Sequence, residues 1–348
     1  MGLKYTALWL LMIGFSGGLM AQFGGDNTFL SSQLVFSARM GALGGNGHAI
    51  KDGDLNVATF NPALLDSTNH NQFSFSYINY LANVNYGQVA YARQVNKTVT
   101  MAASINYLSY GQFTETNVFG EELGEFNAGE YIVNVSGSHQ IDSLFSVGAN
   151  MKFMYGQMAD YTSTAMAVDI AGVYHNPKIN TTVTLMLANI GTPLGYYTEN
   201  EKPNLPFQIN LAAAHRLKNA PFRFLLLAEN LQRWKMVSEE EAQEERDPLT
   251  GEIITESMDT FGENLMRHLT FGAEILIGKN MFLRGGFNYR RRQELKSPDR
   301  SGLAGISFGA GLKIYKFHLS YGHATYSQAG ASNHITITTR FSDFASKQ

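Results

Sequence analysis

Hydrophobic and polar residues alternate one by one along most of the chain beyond residue 70. From Thr98 to Tyr107 the odd-numbered positions are apolar or aromatic, and most even-numbered positions are small or polar. The same pattern recurs from Phe145 to Tyr155, from Leu269 to Ile277 and from Ile306 to Ile314. A period of two is typical of a β-strand with one apolar and one polar face. The sequence therefore predicts an all-β protein.

The length of these segments separates a membrane barrel from a soluble sandwich, which would also alternate. Strands that cross a bilayer at a tilt need about 9–11 residues, whereas strands of soluble proteins average about 5–6. Most of the segments reach the longer length, and no stretch after residue 70 is apolar enough for a membrane helix. We predict fourteen strands, at 72–80, 86–94, 98–107, 130–140, 144–154, 163–174, 179–189, 207–217, 222–232, 266–277, 280–291, 302–315, 316–325 and 333–342.

The predicted connections alternate in length. Every second connection is a tight turn, as at 95–97, 141–143 and 278–279. The connections between them include the long segments 108–129, 190–206 and 233–265, with shorter ones at 81–85, 155–162, 292–301 and 326–332. Outer-membrane barrels have short turns at one end and longer loops at the other. A sandwich has no reason to show this parity, so we predict a transmembrane antiparallel β-barrel of about 14 strands.

Closure of the barrel follows from the chemistry of the bilayer, because hydrocarbon cannot satisfy a free strand edge. The polar faces of the strands then point into the lumen. Charged and amide residues expected there are Lys152, Glu274, Arg284, Asn288, Arg290, Lys313 and Arg340. Tyrosines near strand ends suit an interfacial girdle, with packing at strand ends as the alternative: Tyr77, Tyr107, Tyr155, Tyr174, Tyr289, Tyr321 and Tyr326.

Composition agrees with an exported barrel. Charged residues make up 16% of the chain, the net charge is -3, and there is no cysteine. These values give no bias towards nucleic acid and exclude a disulfide framework. Lys4 and the short apolar run after it predict a signal peptide. The expected organisation is a signal peptide at 1–21, a hatch or plug at 22–71, the barrel at 72–342 and a tail at 343–348.

The segment before the first strand contains a glycine cluster that could be taken for a phosphate-binding loop. A dinucleotide loop should follow an apolar strand and begin a helix. The three residues 34–36 are too short for such a strand, and the residues after Gly47 do not form an amphipathic pattern. A compact glycine-rich segment folded into the lumen fits the pattern better.

This segment resembles the N-terminal hatch of FadL-type fourteen-stranded outer-membrane barrels. The order of its parts carries the resemblance: small residues, a glycine cluster, an acidic turn and then Asn-Pro-Ala. The residues concerned are Gly41, Gly44, Gly45, Asp52, Asp54, Asn61, Pro62 and Ala63. Glycine would let the hatch backbone approach the wall, and proline after asparagine would fix the turn that leaves the hatch.

A narrower resemblance runs through the mature chain. The stretches 24–45, 60–65 and 110–131 resemble the PorQ family, barrel components of the type IX secretion system of Bacteroidota. The resemblance implies a place in the outer membrane, integral and with long loops outside, beside PorZ-like, PorU-like and PorV-like partners. In that complex cargo is processed and attached to lipopolysaccharide at the cell surface. The chain departs from many barrels at its end, since residues follow the terminal aromatic Phe341.

No catalytic or metal-binding set emerges from the sequence. No serine has a lysine three residues later, Gly-x-Ser-x-Gly is absent, and the histidines are scattered singly. A metal site would need close pairs on one face. We therefore expect that the protein is not an enzyme and that it binds no metal ion or cofactor.

Two loops are candidate partner-binding surfaces. The 233–265 loop has ten acidic residues against three basic ones, and its densest part contains Glu239, Glu240, Glu241, Glu244 and Glu245. Three interpretations are open: a solvated loop without a partner, a docking site for a basic partner surface, or a site where divalent cations bridge the loop to lipopolysaccharide. The 108–129 loop carries Phe113, Phe119 and Phe126, as interface anchors or as residues buried against the acidic loop.

Three functions remain open. The favoured one is a non-enzymatic scaffold that anchors a surface attachment complex. The alternative is a FadL-like transporter of hydrophobic small molecules, which needs an apolar pocket and a gap in the wall. A PorV-like cargo shuttle would need a groove that the sequence does not locate.

Overall fold

The computed structural model describes residues 27–237, 245–246, 253–255, 258–295, 302–327 and 330–344. The predicted signal peptide lies outside the described residues, as does the tail beyond residue 344.

Fourteen antiparallel strands form a closed barrel, which confirms the predicted fold class. The first strand pairs with the last one, from Gln72 opposite Arg340 to Asn79 opposite Asn333. A separate two-stranded sheet, β10 and β11, lies between the ninth and tenth barrel strands in the chain. The strands are β1 Gln72–Asn79, β2 Asn85–Gln94, β3 Val99–Thr116, β4 Glu122–Gln140, β5 Phe145–Met158, β6 Tyr161–Asn176, β7 Thr181–Gly195, β8 Gln208–Arg216, β9 Phe222–Ala228, β10 Glu245–Arg246, β11 Ile253–Thr255, β12 Leu269–Ile277, β13 Met281–Asn288, β14 Ile306–Ile314, β15 Phe317–Ser327 and β16 Gly330–Arg340.

The barrel has two unlike ends. We call the end with connections 95–98, 141–144, 177–180, 217–221, 278–280 and 315–316 the turn end, and the other the loop end. The long connections 196–207, 229–268 and 289–305 all lie at the loop end.

The predicted loop at 108–129 is wrong for most of its length. Strand β3 has 18 residues and β4 has 19, and they stay paired up to Thr116 opposite Glu122. The predicted 155–162 loop is also mostly strand, because β5 and β6 pair up to Met158 opposite Tyr161. Both segments lack an apolar face beyond the membrane region, so alternation of hydrophobicity did not reveal them.

The two faces of the wall differ as predicted. Large apolar side chains such as Ile105 and Phe153 are exposed on the outside. Lys152, Glu274, Arg284 and Asn288 are buried inside, as predicted for the lumen. Lys313 and Arg340 also lie on inward rows, where they line a cavity at the turn end.

The prediction of strand through residue 291 is wrong. Strand β13 ends at Asn288, whose Oδ1 accepts a hydrogen bond from the Arg291 backbone N–H at 2.8 Å. An asparagine in that position caps a helix. A helix follows at Tyr289–Leu295, so Tyr289 and Arg290 lie on this helix rather than on the wall.

The tyrosines divide between the two expected roles. Tyr77, Tyr107 and Tyr321 are exposed on the outer surface. Tyr326 instead packs against Tyr80, with ring centroids 4.8 Å apart, so it contributes packing at the strand end. Girdle placement is therefore wrong for Tyr289 and Tyr326.

The described part of the N-terminal segment lies inside the barrel. It starts at the loop end, where the Thr28 backbone N–H donates to the Asn204 carbonyl at 2.9 Å, and it reaches the turn end before β1. Its helices are α1 Ala38–Ala42 and α2 Leu55–Phe60, with 3-10 turns at Leu30–Gln33, Pro62–Leu64 and Ser67–Asn69. We call residues 27–71 the hatch.

Two further helices lie at the loop end, α3 Phe261–Arg267 and α4 Tyr289–Leu295. At the opposite end, a 3-10 turn at Phe341–Asp343 follows β16. Among the described residues, no helix has the length and apolar character that a membrane span requires.

Candidate functional site: the interface between hatch and wall

Helix α1 approaches the wall at its small residues. A Cβ atom added at Gly322 would overlap the Ala38 carbonyl oxygen, and one at Gly309 would lie 2.6 Å from the Ala42 Cβ. A Cβ at Gly286 would overlap the backbone between Leu43 and Gly44. Strands β13, β14 and β15 therefore bear glycine where the hatch backbone touches them.

The chain turns sharply after α1. Gly44 and Gly45 have φ angles of 77° and 101°, a backbone region that favours glycine. Gly41 lies within α1, where an added Cβ would lie 2.8 Å from the His334 ring. Gly44 and Gly45 thus form a tight turn that follows a helix rather than begins one, and Gly41 allows close packing within that helix.

A buried ion network joins the hatch to the wall through Arg39. Its guanidinium donates to Glu274 on β12 at 2.8 and 2.9 Å and to Asp52 at 2.8 and 3.0 Å. Asp54 accepts a further bond at 3.1 Å. The Arg39 side chain is 5% exposed, and that of Glu274 is fully buried.

Two wall arginines complete the network. Arg223 on β9 donates to Asp52 at 2.8 Å and to Glu274 at 2.7 Å. Arg284 on β13 donates to Glu274 at 3.1 Å. The three arginines and three carboxylates balance in formal charge, and the cross-strand register places Arg223, Glu274 and Arg284 side by side. A buried ion needs such pairing, because an isolated charge in the lumen interior would be costly.

The hatch acid Asp52 is held in its charged form. Burial alone would raise the pKa of Asp52, but Arg39 and Arg223 outweigh burial and hold the pKa well below its usual range. In the same hatch, burial lowers the pKa of His48 to about 4. Both groups therefore favour a hatch that is packed at neutral pH and loosened by acid.

A second buried cluster lies on β5, β6 and β7. Lys152 Nζ lies 2.7 Å from the Asp169 carboxylate and 2.9 Å from Asn189 Oδ1. Asn150 Nδ2 donates to Asp169 at 3.1 Å and to the Thr59 carbonyl of the hatch at 3.3 Å. The hatch is therefore bonded to this side of the wall as well.

The Asn61-Pro62-Ala63 segment anchors the last part of the hatch. Asn61 is fully buried, accepts from the Ala63 backbone N–H at 3.2 Å and donates to the His48 carbonyl at 2.6 Å. A Cβ added at Gly148 on β5 would overlap the Pro62 to Ala63 backbone. This motif thus fixes the chain against the wall, in addition to making a turn.

The hatch leaves little room in the middle of the barrel interior and more at the turn end. A cavity between the hatch and strands β2 to β8 has a volume of about 30 Å³, about that of one water molecule. A larger cavity of about 430 Å³ lies at the turn end beneath the Arg39 network.

The candidate partner loops are only partly described. Phe113 and Phe126 stack on each other across β3 and β4 with centroids 5.5 Å apart, and Phe119 at the tip is 85% exposed. Glu239, Glu240, Glu241 and Glu244 lie outside the described residues, whereas Glu245 begins β10. Partner binding by either loop therefore stays a prediction.

No group of three His, Asp or Glu side chains that could hold a metal ion occurs in the part of the chain that the structure describes. The buried histidines serve packing and hydrogen bonding. His268, for example, bonds the Glu229 and Trp234 carbonyls at 2.7 and 3.1 Å.

Comparison with known proteins rests on structure. No protein-family model matches the sequence, and no curated protein matches it. The toluene transporter TbuX of Ralstonia pickettii is 12% identical, with 92% of this chain and 100% of that chain covered at a TM-score of 0.54. A FadL homologue of Pseudomonas aeruginosa is 11% identical, with 88% and 98% covered at a TM-score of 0.51.

The fold is that of FadL-type outer-membrane barrels. TbuX is named as a transporter, and neither neighbour is named as an enzyme. At such identities the likeness concerns the fold alone, and neither neighbour points to the PorQ family in particular.

Sequence reasoning missed the two features that hold the hatch. Arg39 sits in an otherwise small and apolar stretch, and Glu274 and Arg284 stand on adjacent strands of the predicted barrel. A lone arginine among such residues signals a buried acidic partner. The wall glycines Gly286, Gly309 and Gly322 gave no signal, because glycine in a strand has several possible roles.

Proposed function

We propose that this chain is an outer-membrane barrel closed by its own hatch, which acts as a non-enzymatic scaffold rather than as an open pore. One observation carries the proposal: a hatch bonded to the wall on two sides fills the middle of the described lumen, where it leaves about 30 Å³, and the larger cavity lies only at the turn end beneath the hatch. Pockets for small organic ligands measure about 300–1,000 Å³. Apolar inward side chains of the wall, such as Met186, Leu225 and Leu227, are buried in a shared core with the hatch, so the hatch covers the apolar part of the interior.

The β3–β4 hairpin is the surface that we propose for a partner. Beyond Ser109 strand β3 pairs with β4 alone, and β4 before Ala128 pairs with β3 alone. Both edges of this ribbon are open, and open edges accept an added strand. Its four acidic residues, Glu115, Glu121, Glu122 and Glu125, are not balanced by any basic residue between 108 and 129, so a basic partner surface suits it.

The finer form of this proposal places the chain in a type IX secretion attachment complex. Its support is the resemblance of 24–45, 60–65 and 110–131 to the PorQ family. The partners would be PorZ-like, PorU-like and PorV-like proteins, with lipopolysaccharide as the acceptor of processed cargo. In that arrangement the loop end faces the cell exterior.

Transport of hydrophobic small molecules is the second candidate, and the structural neighbours favour it over secretion. TbuX is named as a toluene transporter, and the second neighbour as a FadL homologue. One feature of the wall also suits it: in the described residues, β7 from Ile190 to Gly195 pairs with β6 but not with β8. A ladder interrupted in this way is where a lateral path through the wall would open.

Purification from solubilised outer membrane, combined with an uptake assay in proteoliposomes, separates the two functions. The scaffold predicts co-purification of defined surface proteins and no faster entry of toluene or a long-chain fatty acid than in empty vesicles. Deletion of 112–126 should abolish co-purification, whereas the barrel should keep its heat-modifiable gel mobility. Saturable uptake by a barrel purified without partners would establish transport and overturn the scaffold.

A further inference from the structure

The cavity at the turn end is strongly basic. It measures about 430 Å³, and its lining includes eight arginine or lysine residues but three acidic ones. The basic residues are Arg39, Arg216, Arg223, Lys279, Arg284, Lys313, Lys316 and Arg340, and the acidic ones are Asp52, Asp54 and Asp343. Such a concentration of one sign of charge in a concave site attracts counter-ions.

Most of this charge is not used by the ion network. Arg39, Arg223 and Arg284 are matched by Asp52, Asp54 and Glu274, as described above. Five lining bases remain, and the lining contains one further acid, Asp343: they are Arg216, Lys279, Lys313, Lys316 and Arg340. Within the described residues none of these five bases forms an ion pair.

The strand register concentrates the unmatched charge. Arg216 on β8 lies directly opposite Arg223 on β9, both on the inward row. Like charges at directly opposite positions destabilise a sheet, and of this pair only Arg223 has carboxylate partners. On the facing wall, Lys313 lies opposite His318, and His318 lies opposite Thr338, so a row of hydrogen-bonding groups crosses β14, β15 and β16.

Two lining side chains also have unused polar atoms. Arg284 Nη2 and His318 Nε2 are buried and have no hydrogen-bond partner. Arg284 as a whole is 5% exposed. A buried donor without a partner normally indicates a missing water, ion or ligand.

We propose that the turn-end cavity binds a phosphate-type oxyanion with two or more negative charges. Arginine and lysine donors match the oxygens of phosphate groups, and the arginine guanidinium can contact two oxygens at once. The volume suits a small ligand rather than a folded domain. A free phosphate compound and a lipid headgroup with two phosphate groups share this chemistry.

Binding of inorganic pyrophosphate to the purified full-length barrel, measured by titration calorimetry, tests the proposal. The test variant is Arg216→Gln, Lys313→Gln and Arg340→Gln together, since these residues line the cavity without taking part in the network. The control variant, Lys97→Gln, Lys178→Gln and Lys218→Gln, removes the same charge from exposed turns at the same end but outside the cavity. Unchanged heat-modifiable mobility shows that each variant is folded.

We expect saturable binding by the unaltered barrel, a loss of affinity of about tenfold or more in the cavity variant and little change in the control. Binding should also weaken as salt rises. No binding to the unaltered barrel, or an equal loss in both variants, would overturn the proposal.

Parallel titrations identify the source of the anion. Pyrophosphate binding in a neutral detergent assigns the site to a soluble phosphate compound. If pyrophosphate binds only weakly, and nanodiscs that contain cardiolipin, whose headgroup has two phosphate groups, but not nanodiscs of phosphatidylcholine alone prevent that binding, the site belongs to lipid headgroups. Either result supports the proposal.

Discussion

Two faces of helix α1 hold the hatch against the wall by different means. Ala38 and Ala42, one helical turn apart, pack on the glycines of β14 and β15. Arg39, next along the helix, bonds Glu274 on β12 and two carboxylates of the hatch itself. The first contact depends on the absence of side chains, and the second on the balance of buried charge.

This difference determines how each contact can fail. The glycine contact tolerates no added atom but is insensitive to charge. The ion network tolerates some movement, but loss of one member leaves another charge buried without a partner. The two contacts should therefore respond to different substitutions and conditions.

Arg39→Ala should have the largest effect. It leaves Glu274 with fewer donors in a fully buried place, and breaking a buried pair in this way costs about 3–5 kcal/mol. We expect a lower urea midpoint and faster proteolysis within the hatch. Lys235→Ala is the control, because the Lys235–Asp259 pair is largely exposed and such pairs contribute about 0–1 kcal/mol. If the two substitutions lowered the urea midpoint equally, the ion network would not be what holds the hatch in place.

Acid should loosen the hatch in two steps. Burial lowers the pKa of His48 to about 4, so stability is complete above the usual pKa of about 6.5 and falls as pH decreases from there towards 4. The pKa of Asp52 is also held below its usual range, so its contribution is lost only below about pH 4. Protease susceptibility of the hatch against pH measures both steps.

His48→Gln should reduce the step between pH 6.5 and 4 and leave the step below pH 4, and Asp52→Asn should reduce only the step below pH 4. The first step corresponds to about 3 kcal/mol at most. A profile that both substitutions leave unchanged would show that these groups do not control the hatch.

Gly286→Val tests the steric face. The added side chain would overlap the Leu43 to Gly44 backbone, and overpacking of this kind costs about 1–3 kcal/mol. Gly285→Val is a matched control on the next residue, where nothing lies within 4 Å of an added Cβ. We expect hatch proteolysis to accelerate only in the Gly286 variant, at neutral and acidic pH alike.

Asn61→Ala should have a smaller effect than the substitutions of Arg39 and Gly286. It removes a cap and a bond to the His48 carbonyl, at a cost of about 1–2 kcal/mol. Asp66→Ala removes a cap from the exposed turn Ser67–Asn69 and should cost less. A larger loss for Asp66→Ala would place the anchor of the hatch elsewhere.

The wall could be predicted from the sequence where the bilayer imposes alternation. Outside the membrane the bilayer no longer requires one apolar face. The parts of β3 and β4 nearest the loop end therefore lack the alternation, and the sequence predicts a loop there although the backbones pair up to Thr116. At β13 the alternating pattern of the sequence extends past the end of the strand. The strand ends because Asn288 caps a helix, and the pattern of Tyr289 to Arg291 does not reveal that cap.

The site was less predictable than the wall. The hatch position followed from its glycines and the Asn-Pro-Ala motif, but the partner of Arg39 depends on which inward residue the register brings to it. Glu274 is 235 residues away along the chain, and only the closed barrel sets that distance in space. The same holds for the glycine contacts at Gly286 and Gly322.

Ion conductance across a planar bilayer tests the central claim most directly. With the hatch locked by both faces of α1, the unaltered barrel should carry almost no current at neutral pH, and the combined Arg39→Ala and Gly286→Val variant should open stable channels. A steady, pore-sized conductance from the unaltered protein would contradict a lumen closed by its own hatch.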